Sequence, residues 1–180
     1  MIILLVNLKT DNNEEWNIQM DIICRIYRKI VNVNYIIYLK IKYGKRISIG
    51  KGFSFRKGLI INISKDGFLN IGNNCFFNNY CSINVHKKVI IGNNNIFGEN
   101  VKIYDHDHAF HKKNFKKEFY ENEIIIGDNN WICSNVTILR KSKLGNENVI
   151  GAGVIFNEKI KDSMIIKNEN NVSIKKIKRI

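Results

Sequence analysis

Apolar residues return every six positions over much of this chain. Ile126, Ile132, Ile138, Leu144, Ile150 and Phe156 keep that step without a break. Shorter runs precede them: Ile49, Phe55 and Ile61, then Ile71, Phe77 and Ile83, then Ile91, Phe97 and Ile103. A period of six fits neither the 3.6-residue turn of a helix nor the two-residue alternation of a strand. It predicts a parallel β-helix, a solenoid whose three flat sides of about six residues make a turn of about eighteen. One bulky residue per side then points to the axis and stacks on its counterpart one turn later. Glycine follows many of these positions (Gly50, Gly72, Gly92, Gly127, Gly145, Gly151), and asparagine follows the glycine at Asn73, Asn74, Asn93, Asn94, Asn129 and Asn146. Both residue types tolerate the tight or left-handed backbone that corners need.

Coil starts at 49, 71, 91, 126 and 144 give about five coils, enough for a self-supporting stack. The step from 91 to 126 is one turn plus an insertion, which the spacing predicts to leave the body as an excursion loop over 105–123. Loops on rigid scaffolds are where function concentrates. The predicted organisation is a helical segment over 1–46, an all-β solenoid over 47–166 and a basic tail over 167–180. Within the first segment Asn12 to Lys42 reads as a helix. Trp16, Met20, Ile23, Tyr27, Ile30, Asn34 and Ile37 step by three or four, with Arg25, Arg28 and Lys29 between them. That mostly apolar face is expected to pack on the first coil; a basic amphipathic helix in peripheral contact with a membrane is the second reading.

Composition narrows the class. In 180 residues there are 29 Lys and Arg against 16 Asp and Glu, a net charge of +13. That excess points to a polyanionic partner: nucleic acid, an anionic membrane or a phosphate-rich cofactor. With 44% hydrophobic and 25% charged residues and no proline, the chain is neither disordered nor collagen-like. No apolar run approaches the ~18 residues of a membrane helix, and no nucleic-acid motif accompanies the charge. Cys24, Cys75, Cys81 and Cys133 form no CxxC pair, which excludes a zinc ribbon and fits free thiols in a reducing cytoplasm.

The candidate chemistry sits at the start of the insertion, Tyr104-Asp105-His106-Asp107-His108-Ala109-Phe110-His111, where three of the four histidines lie within six residues. A neutral imidazole can take the proton of a hydroxyl attacking an activated acyl group, with Asp105 or Asp107 fixing its tautomer. Metal binding with His86 is the competing reading, weakened because three of the candidate ligands sit on one loop.

The hexapeptide coils, the DHDH loop with a later His, and the segments IIIGDNNWICSNVTIL and LGNENVIGAGVI resemble the left-handed β-helix O-acetyltransferases. Among these are the maltose, galactoside and nodulation acetyltransferases and the capsule and O-antigen sugar acetyltransferases. The resemblance covers residues 47 to 180. It implies transfer of an acetyl group from acetyl-CoA to a sugar hydroxyl, with no metal, and a homotrimer whose active sites lie between subunits. It implies His108 as the base, since His108 and His111 keep the family's three-residue spacing. Asn78, Asp105, His106, Asp107 and His111 are implied around the acceptor. Trp131, the backbone amide near Ser134, Ala152, Lys175 and Lys178 are implied for the cofactor. The chain departs from the family after GAG, where Asn157-Glu158 replaces a Thr-Lys pair, and before the tail, where no GNPA occurs. The resemblance places the reaction in the cytoplasm, peripheral to the inner membrane if the acceptor is a lipid-linked surface-polysaccharide precursor. Three other readings are weighed: N-acetylation of a nucleotide amino sugar, a zinc hydratase like the gamma carbonic anhydrases, and a non-catalytic scaffold.

Overall fold

The computed structural model describes residues 13–168. From residue 47 the chain winds as a three-sided solenoid of parallel strands. The first face stacks Ile47–Ile49, Phe68–Ile71, Lys88–Ile91, Ile124–Ile126, Lys143–Leu144 and Lys159–Ile160. The second stacks Ser54–Phe55, Phe76–Phe77, Ile96–Phe97, Trp131–Ile132, Val149–Ile150 and Ile165–Ile166. The third stacks Ile60–Ile63, Ser82–Val85, Lys102–Tyr104, Thr137–Leu139 and Ile155–Phe156. This is the left-handed β-helix that the repeat and the resemblance lead to. It has five complete coils and a partial sixth, where the period alone gives five. The sixth escapes the period because its inward residue, Ile160, follows Phe156 by four residues instead of six.

In-phase residues meet in register: Phe55 opposite Phe77, Phe77 opposite Phe97, Phe97 opposite Ile132, and Ile132 opposite Ile150. All the positions of the period are buried except Ile49, which is half-buried at the end of the stack. The Phe77 and Phe97 rings lie 4.1 Å apart and 4° from parallel, so stacked planes and buried branched aliphatics fill the axis.

The corners have their own ladders. Between the first and second faces, the Asn or Asp two residues after the inward position accepts, through its side-chain oxygen, the backbone N–H of the residue below. Lys51 donates to Asn73 at 2.8 Å, Asn73 to Asn93 at 2.8 Å, Asp128 to Asn146 at 2.8 Å and Asn146 to Asp162 at 2.7 Å. The next residue is left-handed at Asn74, Asn94 and Asn129, a conformation that asparagine accepts more readily than most side chains. Between the second and third faces the left-handed position recurs at Tyr80, Asn100 and Asn135.

These two corners keep the six-residue step through all the coils. Every change of length falls on the third corner, between the third and first faces. From Ile61 to Ile71 the chain spends ten residues, from Ile83 to Ile91 eight, from Ile138 to Leu144 six and from Phe156 to Ile160 four. The excursion leaves and returns at this same corner. It is more ordered than a loop: strands His106–His108 and Phe119–Glu121 pair antiparallel, with His106 opposite Glu121 and His108 opposite Phe119.

Ahead of the solenoid stands α1, Asn13–Tyr43. Its packing corrects the expectation. The stripe through Met20, Ile23, Tyr27, Ile30 and Ile37 is exposed, whereas Asn32, Leu39 and Tyr43 are buried, with Tyr35 and Ile36 partly so. Tyr43 donates its hydroxyl to Ile61 O at 2.9 Å, and the Tyr35 ring meets Phe55 edge-on at 5.1 Å. The helix packs closely on the first coil only from Asn32 onward, on the side that carries Leu39 and two tyrosines; before that, Ile23, Cys24, Tyr27, Arg28 and Val31 line an open groove against residues 55–58. No helix among the described residues is long and apolar enough to cross a membrane.

Candidate active site

The third corner gathers the histidines. Asp105 ends the third coil with its side chain fully buried. Its carboxylate accepts the backbone N–H groups of His86 and Lys87 at 2.7 Å and of Lys88 at 2.8 Å, and meets His106 Nδ1 at 3.1 Å. Burial alone would raise its pKa. The His106 contact and the three backbone donors together outweigh burial and hold the carboxyl below its ordinary value. Asp105 therefore cannot hold an acceptor, as the sequence reading had it; all its lone pairs are directed inward, where it ties the corner of the second coil to the root of the ribbon.

His106 lies face to face with His86, ring centroids 3.7 Å apart, and Phe119 meets both rings edge-on. His86 Nδ1 faces the Glu121 carboxylate at 3.3 Å. His86 thus joins the site through the stacking of corners one coil apart, which spacing along the chain does not reveal. Asn62, Asn84, Tyr104, His86 and His106 line a groove of about 450 Å³ on the third face, closed at one end by Lys42 and Tyr43 of α1.

His108 is exposed on the ribbon, stacked at a tilt on Phe119 at 4.6 Å. Its Nδ1 lies 3.0 Å from the carbonyl oxygen of Phe115. A carbonyl only accepts, so Nδ1 carries the hydrogen of the neutral ring and Nε2 keeps the lone pair. Neither aspartate fixes this tautomer. Asp105 orients His106, and Asp107 is engaged by Arg140, whose guanidinium also lies over the Tyr120 ring. His111 is taken by the Tyr120 hydroxyl. Asp107, His111, Tyr120 and Arg140 thus form a brace between the ribbon and the third face. Among the described residues no three His, Cys, Asp or Glu side chains gather as a metal-binding group.

The residues expected around the cofactor, and Asn78, expected at the acceptor, lie elsewhere. Trp131 is half exposed on the second face, between Ile96 and Val149 of the adjoining coils. Asn78, Ser134 and Ala152 follow one another up the corner between the second and third faces. Asn78 is half-buried and accepts the N–H of Asn79 at 2.9 Å. The Ser134 hydroxyl accepts the N–H of Glu99 at 3.1 Å, while the backbone N–H of Ser134 makes no hydrogen bond among the described residues. Ala152 is exposed beside it. One chain therefore brings Asn78, Trp131, Ser134 and Ala152 to one edge and His106, His108 and His111 to another, with the full width of the third face between them. Lys175 and Lys178 lie outside the described residues.

Comparison with known proteins bears on the same segments. A family model of bacterial transferase hexapeptide repeats matches residues 123–158. The chain is 25% identical over 130 residues to an Escherichia coli K12 protein whose name assigns it, provisionally, to lipopolysaccharide biosynthesis as an O-acetyl transferase; the match covers 67% of this chain and 66% of that protein. It is 34% identical over 98 residues to the galactoside O-acetyltransferase of the same strain, covering 54% of this chain and 48% of the relative. A solved maltose O-acetyltransferase from Clostridium difficile 630 superposes with a TM-score of 0.52 at 26% identity, covering 67% of this chain and 65% of that one. The chain thus spans between about half and two thirds of the length of these relatives.

Proposed function

We propose that this chain transfers an acetyl group from acetyl-CoA to a sugar hydroxyl, with His108 as the general base. The observation that carries the reading is the His108 tautomer. A proton held on Nδ1 by the Phe115 carbonyl leaves Nε2 as a free acceptor on an exposed ring. A sugar hydroxyl placed against that nitrogen loses its proton as its oxygen attacks the thioester carbonyl. The carbon–sulfur bond then breaks, and the imidazolium returns the proton to the departing thiolate. Holding both substrates beside one base makes the transfer nearly intramolecular, and no covalent enzyme intermediate is needed. The Ser134 N–H, free of any partner among the described residues, suits the thioester oxygen as negative charge develops there. The exposed column of Ile96 and Trp131 suits the apolar arm of the donor, and the excess of lysine suits its phosphates.

Because base and donor edge stand apart in one chain, the complete site forms between neighbouring solenoids, the ribbon of one against the Ser134 edge of the next, in a homotrimer. The groove beside His86 and His106 takes the acceptor. The relatives named for lipopolysaccharide biosynthesis, galactosides and maltose support a sugar, and the first supports a bacterial surface-polysaccharide precursor.

Calorimetry with acetyl-CoA, followed by release of free coenzyme A with galactosides, maltose and nucleotide-linked sugars, tests the reading. His108→Gln is expected to leave donor binding unchanged and to lower kcat by about 10²–10⁴-fold, the usual worth of a positioned base. Undiminished turnover in that variant would remove His108 from the mechanism. Absence of donor binding in the folded protein would remove the transferase reading altogether.

A further inference from the structure

The side of α1 that faces away from the solenoid has a spacing of its own. Ile23, Ile26, Ile30, Val33 and Ile37 step alternately by three and four residues. They are 45, 54, 55, 54 and 50% exposed. Alternation of three and four places them on one seam, the a and d positions of a heptad. Of the side that grips the first coil, Asn32 and Leu39 at c and Tyr35 at f lie across the helix from this seam, while Ile36 and Tyr43 at g border it on one side. Among the described residues none covers the seam from Ile26 to Ile37, and Ile23 at its start borders a groove that opens towards Phe55 and Arg56.

Its composition selects among occupants. All five seam residues are β-branched. Ile or Val at both a and d disfavours two-stranded coils and favours three or four strands. Leu, Phe and Trp, which interfacial membrane helices use on their apolar side, are missing from the seam. Asn34 is exposed at an e position, inside the wider apolar arc that Ile30, Ile37 and Ile41 mark out. Lipid would strip the water from that amide, whereas the rim of a coiled coil leaves it wet. Lys29 and Tyr27, at g and e, flank the seam in the same way and keep their polar ends in water.

We propose that α1 is one strand of a parallel three-stranded coiled coil formed with two further copies of this chain, through Ile23, Ile26, Ile30, Val33 and Ile37. Rotational symmetry makes the three helices parallel and closes the assembly at three. The inference stands on the helix alone and is independent of the acetyl-transfer reading. It assigns the oligomer a contact that the solenoid faces do not provide.

Cross-linking of the full chain tests it. In a background with Cys24→Ser and Cys133→Ser, Ile26→Cys places a thiol on the seam and Arg28→Cys places one at f, away from it. Mild oxidation is expected to convert most of the Ile26→Cys protein to a covalent dimer within the trimer and to leave Arg28→Cys uncoupled. Sedimentation of the unaltered protein should give the mass of three chains. Equal cross-linking of the two variants would overturn the proposal. So would an uncoupled Ile26→Cys variant, and if the unaltered protein then pellets with vesicles of phosphatidylcholine and phosphatidylserine, the seam belongs to lipid. Because all the seam side chains are exposed in the single chain, these changes leave the solenoid core untouched, and a circular dichroism spectrum matching the parent protein verifies it.

Discussion

Replacing Asp105 by Asn keeps the shape of the side chain and removes one acceptor oxygen and the charge. The carboxylate now serves four donors, three of them backbone N–H groups at 2.7–2.8 Å. In the variant one oxygen remains. Turned towards Lys87 and Lys88, it leaves the new amide group facing the N–H of His86 and His106 Nδ1. His106 can change tautomer and accept, but the backbone N–H of His86 cannot, and it is left without a partner. An unpaired buried donor costs about 1–3 kcal/mol, and the loss of charge on two surviving bonds costs about 1 kcal/mol each. The expected destabilisation is about 3–5 kcal/mol, read as a shift of the urea midpoint at constant slope. The pH dependence follows from the sign of the shift. The folded pKa lies below the ordinary carboxylate value, so the carboxylate stabilises the fold fully above the unfolded pKa of about 3.9. That contribution is lost as the pH falls through the folded pKa. The parent protein should therefore lose stability in acid over a step that Asp105→Asn lacks. A loss below about 1 kcal/mol at neutral pH, or parallel acid profiles, would refute the view that this carboxylate fastens the ribbon to the solenoid.

The axis and the thiols offer two more tests. Phe97→Ala removes one ring of the parallel pair with Phe77 inside a closed column and should cost about 3–5 kcal/mol in urea unfolding, with the ribbon histidines unaffected. Cys75 and Cys81 are buried, and burial pushes both thiols up, Cys81 to about 11. A chromogenic disulfide at neutral pH should label Cys24 and Cys133 in the folded protein, Cys133 the more slowly because burial raises its pKa too, and all four only in denaturant.

Much of the solenoid can be read from the chain because its rule is local. Six-residue sides place Ile132 and Ile150, one turn apart, in one column by counting alone, and the Asn or Asp after the glycine marks the corner that its side chain bridges. The rule fails where length changes. Ile160 comes two residues early, so the partial sixth coil is invisible to a strict period. The face of α1 chosen from spacing was the wrong one, because an apolar stripe shows only that something covers it, and Leu39, Tyr35 and Tyr43 fit the mouth of the first coil better. At the site, the histidine cluster is plain in the sequence, but the division of labour is not. Which carboxylate orients which ring depends on contacts between coils: Asp105 turns inward to residues 86–88, His86 arrives from the coil below, and a backbone carbonyl orients His108.

The confinement of length variation to the third corner has a practical corollary for grafting. At the other two corners, side-chain ladders bind each coil to the next atom by atom, and an added residue would break register with both neighbours. At the third corner, spans of four, six, eight and ten residues, and one excursion, coexist in a single stack. The turn at Lys141, next to the ribbon, is accordingly a port for foreign sequence, so long as the Arg140 contact with Asp107 and the buried Ser142 hydroxyl are kept. A segment inserted there would emerge alongside the histidines on the same edge, leaving the registers on either side as they are, so that new contacts to an acceptor could be added without redesigning the column that supports them.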